Sequence, residues 1–276
     1  MVEAKPLVSA ILTTHNRAAL LPRALDSMVA QTYENIELIV VDDGSTDATP
    51  DVIEKYQDHI AIEYIRNEES KGACRARNIG IEAASGVYMA GLDDDDAWHE
   101  KRIAELVEAH SEGVACVTSD TLMVYPNYEA PWHKRKLITL DKLLFTNLVG
   151  NQVLVRRNRI QEVGGFDEKL TAAQDYDLWV RLCDRFGPIR NVQKPLQTIY
   201  MDREEGRITG QSAYKGYLQF YKKHKHRMNR RQRKYQLYKI RRAQAKGESM
   251  AEFVSCVPPF RYWKELKRIG TNTLFS

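Results

Sequence analysis

Short apolar runs alternate with amphipathic stretches along roughly the first 110 residues of the chain. The apolar runs predict buried strands at 7–13, 36–41, 60–65 and 87–92, since continuous apolar segments of this length are typical of parallel sheets covered on both faces. Apolar residues at helical spacing between the runs predict helices, one of them over 73–84. This alternation predicts right-handed βαβ units and an α/β fold with a mixed, mostly parallel sheet flanked by helices.

The pattern becomes less regular after about residue 114. It predicts a loop over 126–133, a short helix over 141–146, a strand over 150–157 and a helix over 175–186. We expect a boundary within 202–210, where two glycines and a charge cluster separate the body of the chain from a basic segment.

Three polar clusters follow the predicted strands, at residues 13–17, 42–45 and 93–96. Ligands of open α/β sheets bind at the carboxyl ends of the strands. The three clusters should therefore meet at one edge of the sheet, and we expect the functional site there.

Four consecutive aspartates, Asp93 to Asp96, form the third cluster. Like charges this close together repel each other, so a cation or solvent must relieve them. Hard carboxylate oxygens suit Mg²⁺ or Mn²⁺, which use one or two protein carboxylates and take other ligands from substrate phosphates. The alternative is a solvated acidic turn, which the position directly after an apolar strand disfavours.

A basic segment, KGACRARN (71–78), lies between the two acidic clusters at the predicted start of a helix. Cations combined with the N–H groups of a helix terminus suit a diphosphate. Ordinary surface bases would have the same composition, so this segment alone leaves both interpretations open.

The composition is that of a soluble globular protein, with 43% hydrophobic and 28% charged residues. No apolar run approaches the roughly 18–20 residues that span a bilayer, and the first residues lack the pattern of a secretory signal. Four scattered cysteines without a Cys-x-x-Cys pair are typical of reduced thiols. From these features we expect a cytoplasmic protein.

The net charge of +4 hides an asymmetry between two parts of the chain. Residues 211–276 hold 17 Lys or Arg and 3 Glu, a balance of +14, whereas the remaining residues have a balance of −10. An acidic body and a basic tail should have different roles.

Six motifs occur in order along the body: SAILTTHNR (9–17), VVDDGSTD (40–47), KGACRARNIGIEAASG (71–86), LDDDD (92–96), GGFDE (164–168) and AQDYDLWVRL (173–182). Together they resemble the family 2 inverting glycosyltransferases with the GT-A fold, of the bacterial cell-surface polysaccharide type. The resemblance spans about residues 7–200. It implies a glycosyltransferase domain over 1–205, with a nucleotide-sugar half (1–115) and an acceptor and catalytic half (116–205), followed by a basic helical tail over 206–276.

The resemblance implies a donor site at matching positions. Thr13 would line the nucleotide pocket with Asn16 close by. Asp43 would accept a hydrogen bond from the base, typically from uracil N3–H. Arg77 and Lys71 would face the base or the diphosphate.

The four aspartates match the DxD motif of the family. Asp93 and Asp94 would contact the ribose or the donor sugar, and Asp95 would bind the divalent metal, Mn²⁺ or Mg²⁺. Because all four positions are Asp, the register of the motif is not fixed by the sequence alone.

Asp175 matches the catalytic base of the family's Glu-Asp-x-Asp-Leu pattern. Here Gln174 replaces the usual Glu, which puts in doubt any role of that Glu in orienting the acceptor. Asp177 is the second candidate for the base, and an N-cap of the following helix is the structural alternative for Asp175. The implied reaction is attack of an acceptor hydroxyl on the anomeric carbon of a UDP-sugar with inversion. The acceptor would be a glycan or lipid-linked glycan.

The tail begins with Tyr214, Tyr217, Leu218 and Tyr221 at helical spacing and continues into a basic, aromatic-containing sequence that includes Ile269. Bases with interfacial aromatics suit an anionic membrane surface. We expect residues 214–269 to attach the protein peripherally to the inner face of the cytoplasmic membrane. A solvated helix packed on the acidic body is the alternative.

Other classes of function explain less of the sequence. Nucleic-acid binding through the tail leaves the acidic clusters unexplained, so no nucleic acid is expected as a partner. A dinucleotide-dependent oxidoreductase would need GxGxxG after the first strand, where this chain has TTHNR. A sugar-nucleotidyltransferase would carry a glycine-rich phosphate loop there. An inactive, carbohydrate-binding relative of the glycosyltransferases stays open.

Overall fold

A computed structural model describes residues 5–201, 211–244, 250–263 and 265–266. The predicted boundary at 202–210 and the predicted membrane contact at Ile269 lie outside the described residues. The chain forms two compact units. One comprises Met1–Leu143, Asn147–Glu168 and Gln174–Gly206, and the other comprises Leu144–Thr146, Lys169–Ala173 and Arg207–Ser276.

The first unit is built on a mixed sheet. Its strands are β1 (Val8–Thr14), β2 (Ile36–Asp42), β3 (Ile62–Arg66), β4 (Tyr88–Asp93), β5 (Asp96–Trp98), β6 (Val117–Tyr125), β7 (Tyr128–Trp132), β8 (Leu137–Ile138), β9 (Leu154–Arg156) and β10 (Ile189–Tyr200). Their order is β3-β2-β1-β4-β9-β6-β10-β5, with β7 paired to β6 and β8 paired to β10.

Helices cover the sheet of the first unit. They are α1 (Leu21–Val29), α2 (Thr49–Tyr56), α3 (Ala73–Ala83), α4 (Arg102–Ala109), α5 (Leu140–Leu143), α6 (Arg157–Glu162) and α7 (Gln174–Phe186). The α/β fold predicted from the sequence, a largely parallel sheet flanked by helices, is confirmed.

The parallel part of the sheet is the predicted series of βαβ units. Strands β3, β2, β1 and β4 pair in parallel, and their apolar side chains form a buried core with α1, α2 and α4 on one face. On α3, a Cβ at Gly80 would lie 2.5 Å from Ile11 Cγ2, so glycine allows this close approach of helix to strand.

The second half of the sheet differs from the sequence prediction in two places. The predicted loop over 126–133 is wrong: it contains β7, which pairs antiparallel to β6 through a tight turn. Pro131 obscured this strand, because proline is tolerated only where it removes no essential ladder bond. The predicted strand over 150–157 is shorter, since only Leu154–Arg156 is extended and paired.

The second unit contains α8 (Gln211–His224), a 3₁₀ turn (Lys225–Arg227), α9 (Arg230–Ala243), α10 (Met250–Cys256) and a second 3₁₀ turn (Pro259–Arg261). Phe145, Tyr235, Tyr238, Phe253 and Val257 form its buried core. Among the described residues, no helix has both the length and the apolar character needed to cross a membrane.

Two arginines of this unit, Arg242 and Arg261, form ion pairs with the buried Glu265. Glu265 is 3% exposed and accepts a hydrogen bond from Tyr235 at 2.8 Å, while its other oxygen lies 2.5 Å from Arg242. Arg261 lies 3.4 Å from the same carboxylate. The second unit thus has packing and charge pairing of its own.

Candidate functional site

The three polar clusters meet at the carboxyl edge of the parallel strands, as predicted. Thr13 on β1 is paired with Val41 on one side and with Asp93 on the other. This register brings the ends of β1, β2 and β4 level, so the turns that follow them share one edge of the sheet.

Asn16 ties the turn after β1 to the turn after β2. Its backbone φ of 53° is in the left-handed region, which asparagine tolerates better than most residues. Its N–H donates to Ser45 Oγ at 2.9 Å, and its Oδ1 accepts from the backbone N–H of Thr46 at 2.7 Å. The residue therefore fixes the two turns to each other at this edge of the sheet.

Asp43 is buried and holds the loop that precedes α3. Its carboxylate accepts hydrogen bonds from the side chains of Asn67 and Ser70 and from the backbone N–H groups of Lys71 and Gly72, at 2.7–2.9 Å. Burial opposes ionisation, but these hydrogen bonds outweigh it and lower the pKa of Asp43. A carboxylate offers about four acceptor positions, so a nucleobase would share an acceptor already used by the loop.

The loop reaches Asp43 because glycine stands beside it. Gly44 has φ +76°, and a Cβ there would lie 2.8 Å from the backbone carbon of Glu69. The Lys71 side chain is exposed, so this residue meets Asp43 through its backbone alone.

The four aspartates span the turn from β4 to β5, and their burial alternates. The residues Asp94 and Asp96 are 7% and 2% exposed, whereas the side chains of Asp93 and Asp95 are 22% and 44% exposed. Burial raises the pKa of Asp94 to about 7, against the opposing effects of Arg17 and Thr14. The two accessible carboxylates are thus spaced as D-x-D, at positions 93 and 95.

Arg17 supplies the cation that this cluster needs. Its Nη1 lies 2.6 Å from Asp95 Oδ2 and 3.5 Å from Asp94 Oδ1. Arg17 belongs to the polar cluster at 13–17 that was expected to meet the aspartates, but the sequence motifs assigned it no role. The available signal was that it is the one arginine of that cluster.

Arg77 lies between Asp93 and Asp175 on the other side of the cleft. Its Nη2 donates to Asp93 Oδ1 at 3.0 Å, and its Nη1 is 3.9 Å from Asp175 Oδ1. Burial opposes the charged form of Arg77, but Asp175 and Asp93 outweigh it and raise the pKa. The structure brings these three predicted site residues together.

Asp175 lies in the first turn of α7, which begins at Gln174. Asp175 is therefore inside the helix rather than at its N-cap. Its Oδ1 is buried and has no hydrogen-bond partner among the described residues. Burial raises the pKa of Asp175 to about 6; Arg77 lowers it and Asp93 raises it further. A carboxylate oxygen in this condition can accept a hydrogen bond and then a proton.

Asp177, the second candidate, is engaged elsewhere. It is completely buried, and its Oδ2 accepts from Arg181 Nε at 2.9 Å. The same guanidinium donates to the carbonyl oxygens of Val163 and Gly165. Asp177 and Arg181 together hold the GGFDE turn against α7.

Asn78 fixes the other side of that turn. Its Oδ1 accepts from the backbone N–H of Phe166 at 2.8 Å, and its Nδ2 donates to Phe166 O and to Glu168 Oε1, both at 2.9 Å. The guanidinium of Arg77 then lies over the Phe166 ring, 5.3 Å from its centroid. Two of the sequence motifs are therefore physically joined.

Asn151 is a site residue that sequence reasoning missed. Its Nδ2 donates to Asp93 Oδ2 at 2.5 Å and to Asp96 Oδ2 at 3.0 Å, and its Oδ1 accepts from Gln197 at 2.8 Å. It lies in the irregular stretch before β9, where no pattern distinguishes one asparagine from another.

The aspartates at the turn from β4 to β5 suit a divalent metal that takes part of its coordination from Asp95 and the rest from a bound phosphate-containing ligand. Within the described parts of the chain, no three His, Cys, Asp or Glu side chains converge into a ready-made cage. Asp95 is an accessible hard carboxylate, and Mg²⁺ or Mn²⁺ commonly takes one or two carboxylates plus substrate phosphates. The ion pair between Arg17 and Asp95 shows that this carboxylate stabilises a positive charge.

Comparison with known proteins identifies the fold and its family. Residues 9–172 match the model of glycosyl transferase family 2, and residues 131–250 match that of a glycosyltransferase-like family 2. The chain is 33% identical over 258 residues to the putative colanic acid biosynthesis glycosyl transferase WcaA of Escherichia coli K12, covering 85% of this chain and 87% of WcaA.

One further sequence relative and one protein of the same fold have a known substrate or ligand. The chain is 30% identical to the Escherichia coli UDP-Glc:alpha-D-GlcNAc-diphosphoundecaprenol beta-1,3-glucosyltransferase WfaP, over 67% of this chain and 73% of WfaP. The crystal structure of S. aureus TarS 1–349 in complex with UDP-GlcNAc superposes with a TM-score of 0.68 at 18% identity, over 93% of this chain and 77% of that one. TarS shares the fold, and the sequence relatives carry the assignment: the chain belongs to glycosyl transferase family 2 and is a glycosyltransferase.

Proposed function

We propose that this glycosyltransferase moves a sugar from a UDP-sugar to a hydroxyl of a glycan or lipid-linked glycan during assembly of a bacterial surface polysaccharide, such as an O-antigen or capsule. The observation that carries the proposal is the buried Asp175 Oδ1, which accepts no hydrogen bond among the described residues and lies 3.9 Å from Arg77. The names of WcaA and WfaP support the pathway and the acceptor class.

The donor would lie along the edge formed by the ends of β1, β2 and β4. The nucleoside would contact the region of Thr13, Asn16 and Asp43, and the diphosphate would run toward the accessible aspartates. Arg77 would face the base or the diphosphate, and its hydrogen bond to Asp93 supports the diphosphate. TarS, which has the same fold, binds UDP-GlcNAc.

Asp95 would hold a divalent metal, with Asp93 and Asp94 beside the ribose or the sugar. When bound, Mn²⁺ or Mg²⁺ would neutralise the charge that develops on the departing nucleoside diphosphate. Asp95 is accessible at the turn between β4 and β5, and Arg17 balances the charge of its carboxylate.

Asp175 would act as the general base. As the acceptor oxygen attacks the anomeric carbon from the face opposite the leaving group, its proton would pass to Asp175 Oδ1. A positioned base contributes about 10²–10⁴-fold to rate. Attack from the opposite face inverts the centre, so an α-linked donor gives a β-linked product.

The second unit would attach the enzyme to an anionic membrane surface, where a lipid-linked acceptor lies. Its α9 exposes Arg230, Arg231, Arg233, Lys234 and Arg241. Large apolar side chains are also exposed in this unit: Trp263 79%, Val254 61%, Leu237 42% and Leu266 39%. Cationic and apolar groups exposed together are typical of proteins that bind the surface of a bilayer.

Calorimetric titration of UDP, GDP and TDP, each with and without Mn²⁺, tests the donor assignment. Metal-dependent binding of UDP alone supports it, and metal-dependent binding of another nucleotide reassigns the donor. Transfer from UDP-sugars should fall about 10²–10⁴-fold in Asp175→Asn while UDP affinity stays unchanged. Strong residual transfer would reassign the base. Binding of UDP-sugar without any turnover would favour an inactive carbohydrate-binding relative.

A further inference from the structure

An apolar pocket opens into the cleft beneath Arg77 and Asp93. It encloses about 480 Å³ of space between atoms, a volume that includes open solvent at its entrance. Arg77 and Asp93 line the partly exposed mouth of the pocket, where both side chains are 22% exposed. The buried lining farther in is apolar: Ile11, Ile81, Met89, Val153, Val155 and Ile160. A nucleotide and a metal bound to polar residues would leave this apolar part, the floor of the pocket, without a role.

Gly91 creates the pocket. It follows Met89 and precedes Asp93 on the same face of β4, because strand side chains alternate. A Cβ at Gly91 would meet no atom within 4 Å, and the residue is exposed, because β1 pairs with it on one side while the pairing of β4 with β9 ends at Ala90. The missing side chain therefore leaves an opening about two residues, or roughly 7 Å, below the edge of the sheet.

The polar mouth determines what chemistry the pocket would take. Arg77 donates to Asp93 Oδ1, and Asn151 donates to Asp93 Oδ2. A guanidinium has five N–H donors, so Arg77 can also bind a carbonyl oxygen. A group that fits has hydrogen-bonding atoms at the mouth and a small apolar end directed at the floor.

We infer that the donor sugar carries an acetamido group whose amide lies at Arg77 and Asn151 and whose methyl group occupies the pocket at Gly91. This inference rests on the proposed function, because it places the donor sugar beside Asp93. A donor with a hydroxyl at the same position would leave the apolar floor unfilled or bury a hydroxyl against it without a partner. The chain is thus a transferase for N-acetylhexosamine rather than for plain hexose.

The test compares UDP-GlcNAc with UDP-Glc on the wild-type protein and on Gly91→Ala and Gly91→Val. Wild type should prefer UDP-GlcNAc about tenfold or more in Kd, the order expected for one small apolar group in an apolar pocket. Gly91→Val should weaken UDP-GlcNAc about tenfold, Gly91→Ala should weaken it less, and both should bind UDP and UDP-Glc within twofold of wild type. Gly113→Val is the matched control, because Gly113 is exposed on a loop and also has open space around its Cα.

The outcomes separate the pocket from the donor class. Equal affinity of wild type for the two sugars, or an equal loss of both in Gly91→Val while UDP binding is kept, would overturn the acetamido assignment and leave the UDP site standing. Failure of folded wild type to bind UDP would overturn the proposed donor class, and the pocket assignment with it.

Discussion

Arg17 and Asp95 form an ion pair, with 2.6 Å between Nη1 and Oδ2, at the carboxylate we propose as the metal ligand. The guanidinium therefore competes with a divalent cation for the same oxygen. Arg17→Gln should raise the affinity of the nucleotide-free protein for Mn²⁺ several-fold, since an attractive cation no longer has to be displaced. Electron paramagnetic resonance of free Mn²⁺ measures this affinity directly.

A matched control separates this local effect from the loss of one positive charge. Arg185→Gln makes the same change on α7, at an exposed ion pair with Glu162 of α6, and should leave Mn²⁺ affinity unchanged. If Arg17→Gln binds Mn²⁺ no better than Arg185→Gln does, Arg17 and the metal do not share a position.

The pH dependence of transfer follows from Asp175. Burial raises the pKa of this carboxyl to about 6. A base must be deprotonated, so kcat/KM should be low below about pH 6, rise through that value and level off above it. Arg77 lowers the pKa of Asp175, so Arg77→Gln should move the midpoint to higher pH. A wild-type profile that stays flat between pH 5 and 8 would count against Asp175 as the base.

The parallel half of the fold was predictable because its signals are local. Runs such as 36–41 are continuous and apolar, and the turn residues that follow them mark the strand ends closely. The strand β7 was missed since Pro131 and its exposed neighbours resemble a loop. Its pairing with β6 depends on a partner strand that local periodicity does not reveal.

The site was predictable as a set of residues but not as a network. Motif matching found Asp93, Arg77 and Asp175, and the sheet register explains why they meet. It did not find Asn151, which comes from an irregular stretch, nor the four hydrogen bonds that commit Asp43 to the loop before α3. Both contacts join segments that are far apart in the sequence, so the spacing of residues within one motif does not predict them.

Asn78→Ala tests the joint between two motifs. The substitution removes three hydrogen bonds to the GGFDE turn and leaves the backbone N–H and C=O of Phe166 without that partner. We expect a loss of about 1–3 kcal/mol in the free energy of unfolding, with reduced turnover, because Phe166 lies against Arg77.

Chemical denaturation followed by circular dichroism measures the change. Asn35→Ala is the control, since Asn35 is exposed and its side chain donates one hydrogen bond, to Lys5 O. That variant should lose less than about 1 kcal/mol. Equal stability of the two variants would show that the joint contributes little.

Membrane attachment is the last property to test, and exposed side chains allow it without truncating the chain. Trp263 and Val254 are 79% and 61% exposed, so Trp263→Ser combined with Val254→Ser should leave the fold intact. The double variant should bind vesicles rich in phosphatidylglycerol several-fold more weakly in a sedimentation assay, because apolar insertion adds to an attraction of about 1 kcal/mol per basic residue near an anionic surface. Tyr128→Ser, at a side chain 60% exposed in the first unit, should bind like wild type. Wild-type binding should also weaken as salt rises. Equal sedimentation of the double variant and wild type would remove Trp263 and Val254 from the interface, and wild-type protein that ignores anionic vesicles would refute membrane attachment by the second unit.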